Sequence, residues 1–202
     1  MEPKNKSTIE SKDLLENRVA TPIQSFATDV KYPCTGFCYM VAKNKHKIID
    51  LYNNRQLNPK QYYDYILQLI KLSGERKRNN PKINIKGEYI KCDTILNDFG
   101  DIYKEMTFLE VGSPDDESFA IAQNNLYMIL MDVEIGGYMM VTRSDETFIM
   151  LKLDFENLLV VDSHQPIHGT VNIEKATQYI LKSGIYRGLT QIGYTSSGLG
   201  LI

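Results

Sequence analysis

Asn157-Leu158-Leu159-Val160-Val161-Asp162-Ser163-His164 reads as a hydrophobic strand that ends in two ionisable side chains. Alternation along a strand puts Leu158, Val160, Asp162 and His164 on one side, and Leu159, Val161 and Ser163 on the other. Asp162 and His164 then stand side by side at an advance of roughly 6.5 Å, near enough for a carboxylate to hold an imidazole in one tautomer. An oriented imidazole needs a nucleophile to act on. Far upstream, Tyr32-Pro33-Cys34-Thr35-Gly36-Phe37-Cys38 offers one. The two stretches together point to a thiol hydrolase.

Working outward from the strand, Tyr138 to Arg143 and Thr147 to Leu153 are further strand-like runs joined by Ser144-Asp145-Glu146, so the three runs form a meander. A helix capped by Asn172 follows over Ile173 to Lys182. Upstream lies a helical half. One helix is expected from Cys34 into Lys43, after Pro33. Another starts at Asn58-Pro59, buries Tyr62, Tyr63, Ile66, Leu69 and Ile70, and ends at Gly74. Glu75 to Pro81 is expected to be a polar loop, with its Arg76-Lys77-Arg78 triplet solvated. Gly112 to Glu117 is a turn before a helix from about Asp116 to Met131. Thr21 to Tyr32 reads as an extended loop holding Pro22 and Gln24. Residues 1–20 read as a polar arm with a capping box at Ser7 and Glu10. Helices first and consecutive strands after them give an α+β fold, with the arm followed by a single domain over residues 21–202.

Composition narrows the function. With 23 Lys and Arg against 25 Asp and Glu, the formal charge of −2 supplies no field for nucleic acid. No apolar run reaches the roughly 18 residues of a membrane span, and Met1-Glu2-Pro3-Lys4 begins no signal-peptide pattern, so no membrane insertion is expected. Three cysteines in 202 residues make no disulfide framework and fit a reducing, intracellular compartment. The absence of Trp beside abundant Tyr, Lys, Asn and Ile suggests AT-rich coding, as in many large DNA viruses and intracellular bacteria.

Cys34 opens a helix, where free backbone N–H groups and the positive end of the dipole favour a thiolate. Thr35 and Gly36 keep that first turn slim. Cys38 lies among Phe37, Tyr39, Met40 and Val41 and reads as core filling, as does Cys92. Of the three histidines, His46 sits in a basic run and His168 follows Pro166 in a turn, without an adjacent acid. Only His164 carries a carboxylate partner. A zinc site from Cys34, Cys38, His164 and His168 has admissible local spacing, but it leaves Asp162 without a role and its long gap matches no finger or ribbon. No cofactor and no metal is therefore expected.

Cys first and His last is the chain order of papain-like folds, with the thiol on a helix and the imidazole on a facing sheet. The arrangement resembles the deubiquitinating cysteine protease domain of herpesvirus large tegument proteins. The likeness runs from about Gln24 to Gly169 and includes the Asn58 to Gly74 helix, the Tyr138 to Leu153 strands and Val161-Asp162-Ser163-His164 before Pro166. It departs from that family at Pro33, where a polar residue often precedes the Cys. The resemblance implies a papain-like peptidase with a central antiparallel sheet packed against helices. It implies Cys34 as nucleophile, His164 as base, Asp162 as orienter and Gln24 as oxyanion donor. It also implies ubiquitin or ubiquitin-like conjugates as partners, and a host cytoplasm or virion tegument as the setting. The alternative is a degenerate papain-like module that binds a modifier or host protein without cutting it.

Overall fold

The computed structural model describes residues 11–80, 101–102, 105–111, 119–143, 146–182 and 190–198. After a 3-10 turn at Ser11–Leu14, the chain lays down β1 (Glu16–Ala20), then helices α1 (Gln24–Ala27), α2 (Cys34–Lys43), α3 (Lys45–Asn53) and α4 (Pro59–Asn79). Strand β2 (Thr107–Val111) and helix α5 (Phe119–Asp132) come next. The meander β3 (Tyr138–Arg143), β4 (Glu146–Lys152), β5 (Asn157–Val161) and β6 (Ile167–Asn172) follows, then α6 (Ile173–Lys182) and β7 (Thr190–Tyr194). The strands form one sheet in the order β1-β6-β5-β4-β3-β7-β2, and every pairing is antiparallel. The protein is α+β.

The middles of the central strands, Tyr138–Val141, Phe148–Leu151 and Leu158–Val161, are hydrophobic at every position because both faces of the sheet are covered. Ile149, Leu151, Leu159 and Val161 pack on one face against Phe37, Val41, Ile66 and Ile70 from α2 and α4. Phe148, Met150, Leu158 and Val160 pack on the other against Leu126, Leu130, Ala176 and Ile180 from α5 and α6. A fully buried side chain of this kind contributes about 1.5–3 kcal/mol, so the helix–sheet–helix sandwich is the main support of the fold. No helix among the described residues is long and apolar enough to cross a membrane.

Several elements differ from their sequence expectation. Residues 16–20, expected in the polar arm, form an edge strand on β6 with Glu16 opposite Thr170 and Val19 opposite His168. Only Val19 is buried there, so the pattern carries almost no strand signal. Ser7, Glu10 and Cys92 lie outside the described residues. Helix α4 does not stop at Gly74 but runs on to Asn79, burying Ser73 and Lys77 on the same stripe, so residues 75–79 of the expected loop are helical. Gly74 serves close packing, not termination, since a Cβ there would lie 2.5 Å from Thr28 Oγ1. Asn58 precedes Pro59 without a side-chain cap, whereas Asn172 Oδ1 accepts the Lys175 N–H at 2.8 Å.

Candidate active site

Helix α2 begins at Cys34, with Pro33 as its N-cap. Two hydrogen bonds converge on the Pro33 carbonyl, from the Phe37 N–H at 3.0 Å and from Ser73 Oγ of α4 at 2.7 Å. Thr35 Oγ1 lies 3.1 Å from Thr147 Oγ1 on β4, which ties the same turn to the sheet. Gly36 lets α4 come close, because a Cβ would sit 2.8 Å from Ser73 Oγ. The slim first turn is thus a packing requirement of the α2–α4 contact. Neither Cys34 nor Cys38 is in a disulfide, both are wholly buried, and Cys38 belongs to the core between α2 and the sheet.

Strand β5 ends at Val161, so strand alternation does not bring Asp162 and His164 together as the sequence suggests. A turn does, closed by the Gln165 N–H donating to the Asp162 carbonyl at 3.1 Å. Inside it the Asp162 side chain folds back on the following backbone, an arrangement natural to a short acidic residue. Oδ1 accepts the His164 backbone N–H at 3.0 Å and bonds the ring Nδ1 at 2.7 Å. Oδ2 accepts the Tyr179 hydroxyl of α6 at 2.9 Å. Asp162 is buried, and each of its oxygens has a donor.

With Nδ1 held by Asp162, the other ring nitrogen is left for Cys34, which lies near enough to act on the ring electrostatically. Burial works against a charge on this ring. The bonds and negative charges of Asp162 and Cys34 outweigh it, and His164 is pushed up to about 11. The imidazole is therefore held as imidazolium through the neutral range. The His164 side chain keeps 18 % of its exposure, while the Asp162 side chain keeps 2 %, so the ring forms the solvent-facing side of the assembly.

Gln24, far from the turn in sequence, is fastened to its middle residue. The Gln24 N–H donates to the Ser163 carbonyl at 2.8 Å, and Ser163 Oγ donates to Gln24 Oε1 at 2.7 Å. With Oε1 engaged, the side-chain Nε2 keeps its donors available among the described residues. Nearby, the Thr21 N–H donates to the Pro166 carbonyl at 2.9 Å, so the whole segment before α1 runs along the histidine turn. The short helix α1 lies within what the sequence suggests is an extended loop.

His168 also departs from its expected place. It lies on β6, wholly buried, with Nδ1 2.7 Å from Tyr62 Oη and Nε2 3.2 Å from both the backbone N and O of Asp162. A neutral ring satisfies this in either tautomer, donating from Nδ1 to Tyr62 or from Nε2 to the Asp162 carbonyl. Both nitrogens are thus engaged away from Cys34, which removes the zinc arrangement; among the described residues no group of three or more His, Cys, Asp or Glu side chains could hold a metal ion. His46, on α3, is exposed.

Burial, partly offset by the Asp162 carbonyl and charge, lowers His168 from 6.5 to about 4. The folded protein keeps this ring neutral where the unfolded chain takes up a proton. Its contribution to stability is therefore complete above about 6.5 and is lost as pH falls towards about 4, by about 3 kcal/mol. Urea midpoints across that range should fall more steeply for the wild type than for His168→Gln. Parallel slopes would show that the ring is not held neutral.

Residues that the sequence does not single out complete the surroundings. Tyr179 holds Asp162, His168 holds its backbone, and Ser73 and Lys77 of α4 hold the segment before Cys34. Tyr179 shares an apolar helix face with Ile173, Ala176 and Ile180, but nothing in that spacing shows where its hydroxyl goes. Compared with known proteins, the chain matches no family model and no curated protein sequence.

Proposed function

We propose that this chain is a papain-like cysteine peptidase that hydrolyses isopeptide bonds of ubiquitin or a ubiquitin-like modifier. The observation that carries the reading is the Asp162–His164 pair, bonded through Nδ1 at 2.7 Å, with Cys34 near enough to raise the same ring. A buried carboxylate, an imidazolium and a thiol at a helix start are the parts that nucleophilic acyl transfer requires. Ubiquitin as the modifier rests on the resemblance to tegument deubiquitinases.

In this mechanism the Cys34 sulfur attacks the isopeptide carbonyl carbon while the imidazolium of His164 stands ready to protonate the departing lysine amine. The carbonyl oxygen takes up the negative charge. Gln24 Nε2 is positioned through Ser163 to donate to it, and the backbone N–H groups opening α2 are the natural second donors. Collapse breaks the C–N bond and leaves a thioester. His164, now neutral, takes a proton from water as it adds to the thioester and keeps it as the C–S bond breaks, so the imidazolium and the anionic sulfur are restored and the released carboxylic acid gives its proton to solvent. Asp162 keeps Nδ1 protonated throughout, so the other nitrogen does the transfer.

The complete burial of Cys34 favours a second reading. A thiol without surface needs its covering side chains to move before a substrate reaches it, whereas a degenerate module needs no access at all. A ubiquitin carrying a C-terminal electrophile separates the two. The peptidase forms a covalent adduct at Cys34 that Cys34→Ala abolishes, and ubiquitin-like probes in parallel identify the modifier class. Tight binding without an adduct from any probe establishes the binding module.

A further inference from the structure

The segment that fastens Gln24 to the histidine turn also borders a groove. Phe26, the largest apolar side chain of α1, is 88 % exposed two residues after Gln24. Beside it a groove of about 450 Å³ lies between α1 and α4, walled also by Ile23, Tyr63, Leu67 and Pro166. A second hollow of about 430 Å³ begins on the other side of Phe26 and reaches Asp29 and Arg78. Exposed apolar side chains gathered around a concavity mark a surface that another molecule covers.

Two features of the groove bear on what covers it. Thr21 is buried in its wall, and among the described residues its Oγ1 has no hydrogen-bond partner. The Thr21 backbone N–H is engaged with Pro166, so only the hydroxyl is left over. An unpaired buried hydroxyl costs about 1–3 kcal/mol, which an amide group brought against it would remove and a hydrocarbon would not. Lys71 is the second feature. It borders both hollows, is exposed, and makes no ion pair among the described residues, whereas Arg78 is paired with Asp29. An apolar lining, an unpaired cation and a spare hydroxyl together suit a polypeptide that brings an apolar side chain, an acidic side chain and backbone amides.

We propose that this groove docks the lysine-bearing partner of the isopeptide, which lays an apolar side chain against Phe26 and Leu67 and an acidic one on Lys71. The inference rests on the peptidase reading, which decides the side of the scissile bond. Pro166, in the groove wall, lies two residues beyond His164, and His164 is the group that meets the departing lysine amine. The residues flanking that lysine are therefore the part of a substrate that reaches the segment from Thr21 to Ala27. Such a contact is made in the ground state and the transition state alike, so it acts on KM and leaves kcat unchanged.

The test compares substrates that differ only beyond the lysine. Ubiquitin joined through an isopeptide bond to the lysine of a short peptide of leucine and glutamate should have a KM about tenfold below that of the same conjugate with lysine in place of glutamate. Lys71→Glu should reverse that order, and Phe26→Ala should raise the KM of the glutamate conjugate about tenfold. Both side chains are exposed, so neither change threatens folding. A ubiquitin C-terminal fluorogenic amide, whose leaving group has no flanking residues, should keep its KM in both variants. Equal KM values for the two conjugates in the wild type overturn the proposal. A rise that includes the fluorogenic amide also overturns it, because the modifier is then the occupant. Separately, the free glutamate peptide should shift the amide NMR signals of Phe26, Leu67 and Lys71 in the wild type and not in Lys71→Glu. If those shifts appear but no conjugate is cleaved, the groove stands as a site for acidic peptides and the peptidase reading falls. If both conjugates are cleaved alike, only this inference falls.

Discussion

Cys34→Ala and His164→Ala should each reduce hydrolysis of a ubiquitin C-terminal amide by about a millionfold, and the double variant should lose no more than either single one. In the proposed mechanism the sulfur and the ring act as one unit, so removing either leaves the other without a reaction to perform. The two variants differ in their effect on folding. Cys34→Ala removes a single heavy atom from a packed site and costs about 1 kcal/mol. His164→Ala takes the imidazolium from the buried Asp162 carboxylate, which keeps the Tyr179 hydroxyl and a backbone N–H among its partners, and a buried anion that loses its cation costs more, about 3–5 kcal/mol. Rates should therefore be measured beside circular dichroism and expressed per folded molecule. A single variant that keeps a tenth of the wild-type rate would detach that residue from the chemistry. Fully additive losses would show two residues acting separately.

What could be read from the sequence was local. The apolar run Leu158–Val161 identifies a buried strand because every position of it faces a helix layer. Pro33 before Cys34 marks a helix start, and Asp162 beside His164 suggests a pair. The mode of pairing was not readable, because it depends on a turn closed by Gln165 and not on the strand before it. Elements with few buried positions were equally obscure. Helix α3 buries only Ile48 and Tyr52, and β1 only Val19. Gly74 reads as a stop because glycine commonly ends helices, yet here it admits Thr28, a neighbour that sequence spacing does not reveal. The same non-local character concealed His168. Its partners Tyr62 and Asp162 come from α4 and from the turn after β5, and only the assembled sheet brings all three together. Lys77 was concealed by chemistry: in an Arg-Lys-Arg triplet the middle residue looks as solvated as its neighbours, and only the helical phase from Ser73 turns it inward.

Asp162→Asn should lower turnover on the order of ten-thousandfold while reducing stability by about 1–3 kcal/mol. The geometry explains the imbalance. An asparagine fits the site with its Oδ1 still accepting the His164 backbone N–H, at 3.0 Å in the wild type, and with its Nδ2 donating to the Tyr179 oxygen, at 2.9 Å from Oδ2. The turn and the α6 contact therefore survive. What disappears is the negative charge that holds His164 as imidazolium. If the amide rotates to place Nδ2 against the ring, Nδ1 must accept and the proton moves to the nitrogen facing Cys34, so the ring can no longer take one from there. Because 18 % of the His164 side chain is exposed, the ring can lose its proton to solvent instead of remaining an unpaired buried cation, which limits the folding cost. A ten-thousandfold loss corresponds to about 5.4 kcal/mol in the barrier, clearly above the folding cost. Thermal midpoints and rates per folded molecule decide the matter. A collapsed midpoint with a normal rate in the surviving folded fraction would make Asp162 an anchor for α6 and the turn, with no part in orienting His164.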